Sequence, residues 1–183
     1  MEILKEINYA SFVKKALFVF IGTILLAVSS KIKIPFYPVP MTMQTFMVLF
    51  IGIAFGWKLG LTTIFLYLFE GLIGLPVFSG TPEKGIGIVY FTGPTMGYLI
   101  GFIVTVFLAG YMNYNKNLFL NFIKLSFAIS FIYIFGILWL GVFIGWEKSL
   151  FNLGIKPFLF AELFKALLIT FAIPKIYKIR KFV

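Results

Sequence analysis

The chain has 183 residues, 61% of them hydrophobic and 20% aromatic, with only 12% charged and a mean hydropathy of +1.05. A soluble domain carries about 25% charged residues, so water is the wrong solvent for this chain and lipid must cover much of its surface. Cysteine, histidine and aspartate are absent, which excludes disulfides, thiolate or imidazole metal sites and Cys- or His-based nucleophilic catalysis, while the net charge of +10 punctuates apolar runs instead of forming a nucleic-acid face.

Apolar stretches of about 20 residues cross a bilayer core, and six candidates follow one another along the chain. The first is 16–30, preceded by Lys14 and Lys15, which can snorkel to the membrane surface. Its basic start and the small Ser29 and Ser30 raise the possibility of a cleaved signal, disfavoured because the rest of the chain is equally apolar and no alanine-rich cleavage site stands out. The second and third spans, 42–57 and 59–74, are expected to meet at a tight corner over Gly56, Trp57 and Lys58. The fourth is 95–113, the fifth 118–146 and the sixth 157–176. The expectation is one all-α integral membrane domain, residues 1–183, of six transmembrane helices.

Six crossings put both termini on one side. The termini and the loops on their side hold Lys5, Lys14, Lys15, Lys58, Lys116, Lys124, Lys175, Lys178, Arg180 and Lys181, against Lys31, Lys33, Lys84, Lys148 and Lys156 on the other. Short loops rich in Lys and Arg stay in the cytoplasm, so both termini are expected there.

The outward loops are then the irregular ones. Between spans one and two, Pro35, Pro38 and Pro40 remove three amide donors and force extended backbone, so that segment cannot be helix. Between spans three and four, Gly74 to Gly80 leads into a glycine-rich stretch ending at Gly93-Pro94. Apolar irregular backbone at membrane depth is tolerated where protein or a water-filled cavity covers it, which suggests a folded lid over an outward cavity in place of an ordinary interfacial loop.

Polar groups within spans are costly and therefore candidate functional groups. Glu162 and Lys165 sit three apart on one face of the sixth span and can neutralise each other, either as a structural ion pair or as a recognition pair for a ligand with N–H donors and a carboxylate. Glu70, beside Gly71, reads as structural. Thr42 is placed to cap the second span after Pro40, whereas Gln44 needs hydrogen-bond partners from a neighbouring helix or a ligand. Among the aromatic residues Tyr67, Tyr98, Trp139 and Trp146, packing or an interfacial belt is the default, and Trp146 fits a belt. Tyr98, after the Gly93-Pro94-Thr95 turn, is the better ligand candidate. No Walker loop is present, so the chain cannot hydrolyse ATP by that route, and no paired carboxylate centre is available for catalysis; no enzyme activity, cofactor or metal is expected.

Four stretches carry a family resemblance. Val39 to Thr45 (VPMTMQT), Glu70 to Gly80 (EGLIGLPVFSG), Gly93 to Phe102 (GPTMGYLIGF) and Pro157 to Ala166 (PFLFAELFKA) resemble, in order, the BioY family of biotin transporters, and together run from about Lys31 to Lys175. The last is similar to the family's Pro-Phe … Gly-Asp-x-x-x-Lys stretch, with Ala161-Glu162 in place of Gly-Asp, and the family's small residues four apart in the first helix are here Ala16 and Phe20. The resemblance implies a bundle like the substrate-capture (S) component of an energy-coupling-factor (ECF) transporter. It implies biotin capture at the outward end, a transmembrane coupling subunit and two ATPase subunits as partners, and toppling in the cytoplasmic membrane as the transport step. Glu162, Lys165, Tyr98, Gln44, Phe78, Ser79, Gly80 and Thr95 are the expected biotin-binding residues, with Glu162 accepting from the ureido group, Lys165 on the carbonyl or carboxylate, and Tyr98 with the Phe78–Gly80 lid around the apolar ring. The competing expectations are an S component for thiamin or riboflavin, and a membrane assembly protein without a ligand.

Overall fold

The computed structural model describes residues 2–182, with side chains from residue 9 onward. Met1 and Val183, at the ends of the expected domain, and the side chain of Lys5 lie outside the described residues. The elements run α1 (Glu2–Lys31), β1 (Lys33–Ile34), β2 (Met41–Thr42), α2 (Gln44–Leu72), α3 (Ile88–Phe91), α4 (Met96–Tyr111), α5 (Leu118–Ile144), α6 (Leu150–Gly154), a 3₁₀ turn (Lys156–Phe158) and α7 (Leu159–Ile179).

The corner expected at Gly56 is present inside α2. Gly56 has φ 76° and ψ 170°, a conformation natural for a residue without Cβ, and it splits α2 into halves 44–55 and 57–72. The halves run antiparallel: Gly60 lies against Gly52, and Gln44 reaches Tyr67. Counting them separately, six helices form the bundle, as the sequence implies. Measured from the corner, the first half rises roughly 18 Å and the second roughly 24 Å, so α2 starts short of the bundle end. The β1–β2 hairpin, pairing Lys33 with Thr42 and Ile34 with Met41, lies directly before that recessed start.

Small residues set the helix crossings. A Cβ on Gly52 would stand 2.8 Å from both Ala109 Cβ and the Val106 carbonyl oxygen, and one on Gly97 or Gly101 would collide with the α5 backbone at Phe135 or Ile132. Backbones can approach this closely only over glycine, the means by which membrane helices gain dispersion contact when lipid removes the hydrophobic incentive to associate. On α1 the buried positions Val19, Gly22, Thr23, Leu26, Ser29 and Ser30 follow helical spacing, while Phe12, Leu17, Phe20 and Ile24 face outward. Phe160 (86% exposed) and Val142 (71%) would aggregate in water but are at home against acyl chains. The chain is a multi-pass membrane protein.

Several boundaries differ from expectation. α1 begins well before Ala16, because nothing in 2–15 breaks a helix and lysines can extend into the interface. α5 stops at Ile144, where Gly145 takes φ 98°, and the short α3 and α6 interrupt stretches read as loop. Thr42 does not occupy the N-cap of α2. It belongs to β2, the cap position is Met43, and the Thr42 hydroxyl accepts from the Gln44 amide at 3.3 Å.

Candidate functional site at the loop end of the bundle

The beginnings of α2, α4 and α7 meet the irregular loops at one end of the molecule, and the site lies among them. On α7 the 3₁₀ turn carrying Pro157 positions the first helical turn so that Glu162 falls within it, where the helix dipole favours an anion. One turn on, Lys165 donates to Glu162 Oε1 at 2.7 Å, to the Thr42 carbonyl oxygen at 2.6 Å and to Thr45 Oγ1 at 3.4 Å. Thr45 donates to the same Glu162 oxygen at 3.0 Å. Both charged side chains are more than nine-tenths buried. Glu162 Oε1 is therefore saturated, while Oε2 is buried with no hydrogen bond of good geometry, the Tyr133 hydroxyl being close enough to act on Glu162. An uncompensated lone carboxylate oxygen is expensive to bury, so this one marks a place where something else donates.

A second unpartnered group is Ser79 Oγ. The loop that carries it is anchored on both sides. Tyr67, accepting from Gln44 Nε2 at 2.7 Å, donates to the Val77 carbonyl oxygen at 3.0 Å, to which Ser30 also donates at 2.8 Å. Lys31 donates to the carbonyl oxygens of Phe78 and Thr81, and Tyr90 donates to that of Ser79 at 2.9 Å. Phe78 does not line the cavity; its ring packs against Gly71, stacked on Tyr90 with centroids 4.7 Å apart and edge-on to Tyr67 at 5.2 Å. Burial holds the Tyr90 hydroxyl above the ordinary tyrosine pKa, so it remains a neutral donor.

Glu162 and Ser79 line one cavity, about 500 Å³ of atom-free space counted with its open mouth, while the third unpartnered buried hydroxyl among the described residues, Ser126 Oγ, lies outside it. Of the residues named from sequence, Glu162, Tyr98, Gln44, Ser79 and Thr95 line it. Phe78 and Gly80 do not, and Lys165 stands behind Glu162. Tyr98 donates to the Gly154 carbonyl oxygen at 3.0 Å, tying α4 to the short α6. Sequence reasoning missed Tyr90, Phe102, Tyr133 and Phe158 as walls of the cavity. Tyr133 meets Tyr98 edge to face at 6.0 Å and is tilted on Phe158 at the same separation; Phe36, from the hairpin, stands edge-on to Phe158 at 6.1 Å. In a chain that is one-fifth aromatic, the detectable signal was position: Tyr133 is the one tyrosine in the middle of the fifth span. Trp139 is structural, its indole N–H donating to the Gly93 carbonyl oxygen at 2.9 Å.

The arrangement is a largely apolar slot, partly aromatic, with two unpartnered polar groups in its wall, suited to a small amphipathic molecule bearing N–H groups. Comparison with known proteins agrees in kind. The model of the BioY family matches residues 4–182. The chain belongs to the BioY family. Among its relatives, a probable biotin transporter BioY of Pyrococcus horikoshii is 37% identical over 78% of this chain and 83% of its own length. The biotin transporter BioY of Thermotoga maritima is 34% identical over 79% and 85%. A crystal structure of the S-component for biotin from an ECF-type ABC transporter superposes with a TM-score of 0.77 and 26% identity, covering 92% of this chain and 93% of that one. The BioY relatives are named as transporters, and this member has the S-component fold.

Proposed function

We propose that the protein captures biotin in the cavity beneath the 33–42 hairpin and the 74–95 loop and delivers it across the cytoplasmic membrane. The observation that carries this reading is the unpartnered Glu162 Oε2, buried in a cavity lined by aromatic residues (Tyr98, Phe102, Tyr133, Phe158), aliphatic residues and a few threonines. Biotin's ureido ring supplies N–H donors for Glu162 and Ser79, and its thioether ring is apolar enough for the slot between Tyr98, Tyr133 and Phe158. Lys165 already has three acceptors, so its role is to position Glu162, and the valerate carboxylate of biotin extends toward the mouth. Gln44 and Thr95 contribute to the wall; Phe78 and Gly80 act by fixing the lid segment around Ser79. The S-component fold of the BioY family and the lack of any Walker loop favour an ECF coupling subunit and two ATPase subunits as partners that supply the energy. The excess of cations at the end remote from the cavity favours cytoplasmic termini. A ligand-free assembly protein, the other class of reading, has no use for an outward cavity with orphaned acceptors.

The test is equilibrium binding of labelled biotin to the purified protein, with excess thiamin or riboflavin as competitors. One-to-one binding that neither competitor displaces is expected. Binding of thiamin or riboflavin without biotin would overturn the assignment.

A further inference from the structure

The end of the bundle opposite the biotin cavity carries a second concave site. Lys15 of α1, Phe55 to Leu59 around the α2 corner, and Arg180 just past α7 line a cleft of about 870 Å³ of atom-free space counted with its mouth. Arg180 is 18 residues beyond Glu162, roughly 27 Å along the bundle, so the two sites stand about one hydrocarbon thickness apart.

The cleft is built around Arg180. Its Nη2 donates to the Gly110 carbonyl oxygen at 3.0 Å, its Nη1 approaches the Tyr177 hydroxyl at 3.4 Å, and its guanidinium lies 5.3 Å from the centre of the Tyr177 ring. A Cβ on Gly56 would stand 3.0 Å from that guanidinium, so the bare corner is also what lets Arg180 settle against it. Two of its five N–H groups are used, and the others remain for an anion. Lys58 sits 5.4 Å over the Trp57 ring, and Lys15 closes the far wall. Nothing described at this end neutralises these cations: Glu70, Glu83, Glu147 and Glu162, the four described carboxylates, all lie at the cavity end or in its loops. The floor, Phe55 and Leu59, is apolar, and Phe12, one helical turn from Lys15, is exposed to lipid.

We propose that this cleft holds the phosphate of an anionic phospholipid, with Lys15, Lys58 and Arg180 around the headgroup and an acyl chain running along the apolar face of α1. A free phosphate would use the cations alone, with nothing to lie against half-buried Leu59 or exposed Phe12. A basic pocket between helix ends at the membrane surface, open to lipid on one side, suits a headgroup whose tail stays in the bilayer. Such a lipid would couple α1, the α2 corner and α7 at one end, independently of what the cavity binds.

The test is native mass spectrometry of the detergent-purified protein titrated with phosphatidylglycerol, phosphatidylcholine or inorganic phosphate. The comparison includes Lys15→Gln/Lys58→Gln, and Lys84→Gln/Lys148→Gln as a control at the other end. Expected are preferential retention of phosphatidylglycerol by the parent and the control, and a loss of roughly tenfold or more in the cleft variant, as removal of two surface cations implies. All three proteins should unfold at the same temperature without lipid, since the replaced lysines are exposed. Equal retention of the two lipids, competition by inorganic phosphate at the same concentration, or full phosphatidylglycerol binding by the cleft variant would overturn the proposal. So would a cleft variant that keeps its lipid but loses a co-purifying protein partner.

Discussion

Lys165 Nζ lies 2.7 Å from Glu162 Oε1, one helical turn away, and this contact leaves Glu162 Oε2 as the only unsatisfied carboxylate oxygen among the described buried groups. The pair separates two effects that a single substitution would mix. Breaking a buried ion pair by deleting one partner costs about 3–5 kcal/mol because the other charge is left uncompensated, whereas replacing both can be nearly neutral. Lys165→Met alone should therefore destabilise the protein by that order and weaken biotin binding. Glu162→Gln/Lys165→Met should recover much of the stability while binding stays lost. Thermal unfolding and biotin titration of the singles and the double close the cycle.

Ser79→Ala removes a hydroxyl that has no partner within the protein. Stability should change by less than about 0.5 kcal/mol, since no internal hydrogen bond is broken, while biotin affinity should fall about tenfold, the scale of one lost hydrogen bond. A calorimetric titration beside an unfolding curve distinguishes this from a general loss of folding.

Gly71→Ala places a methyl group into the Phe78 ring, which cannot retreat because Tyr67, Tyr90 and Phe91 surround it. The expected cost is about 1–3 kcal/mol of stability. Displacement of the adjacent Ser79 should also weaken biotin binding, although Gly71 is not among the cavity residues. Phe78→Leu in the same background should restore part of both by making room.

Tyr67→Phe deletes one hydroxyl that both accepts from Gln44 and donates to the Val77 carbonyl oxygen. Buried Gln44 Nε2 loses its partner while the Val77 carbonyl oxygen keeps Ser30, so destabilisation of about 1–3 kcal/mol is expected. Tyr98→Phe breaks only the tie to Gly154. It leaves the buried Gly154 carbonyl oxygen without that donor, so a similar loss of about 1–3 kcal/mol is expected in an unfolding curve, together with faster biotin release in a chase of labelled biotin.

The features legible in the sequence were those where a residue defies its surroundings. Glu162 and Lys165 stand out because charge in an apolar span is costly, and Gly56-Trp57-Lys58 because it interrupts an otherwise unbroken run of about 30 apolar residues. That the stretch around Pro35, Pro38 and Pro40 is not helix followed from its prolines, whereas the pairing of its ends as a hairpin did not. Residues whose type suits either of two directions were not legible. Phe78 was expected over the ligand and instead clamps the loop against Gly71, while Tyr133, one aromatic among many, faces the cavity. Lys165 could be seen to share a face with Glu162, but only the positions of Thr42 and Thr45 show that its ammonium is already occupied. The turns α3 and α6 are too short for periodicity to register.

The most direct measurement is the thermal midpoint of the purified protein with and without biotin, for the parent and Glu162→Gln. A ligand present at a hundredfold its Kd stabilises a one-site binder by about 2.7 kcal/mol. A clear rise for the parent with biotin, absent with thiamin or riboflavin and much reduced in Glu162→Gln, is the predicted result. No rise with biotin, or an undiminished rise in Glu162→Gln, would contradict the assignment of Glu162 as the acceptor for the vitamin.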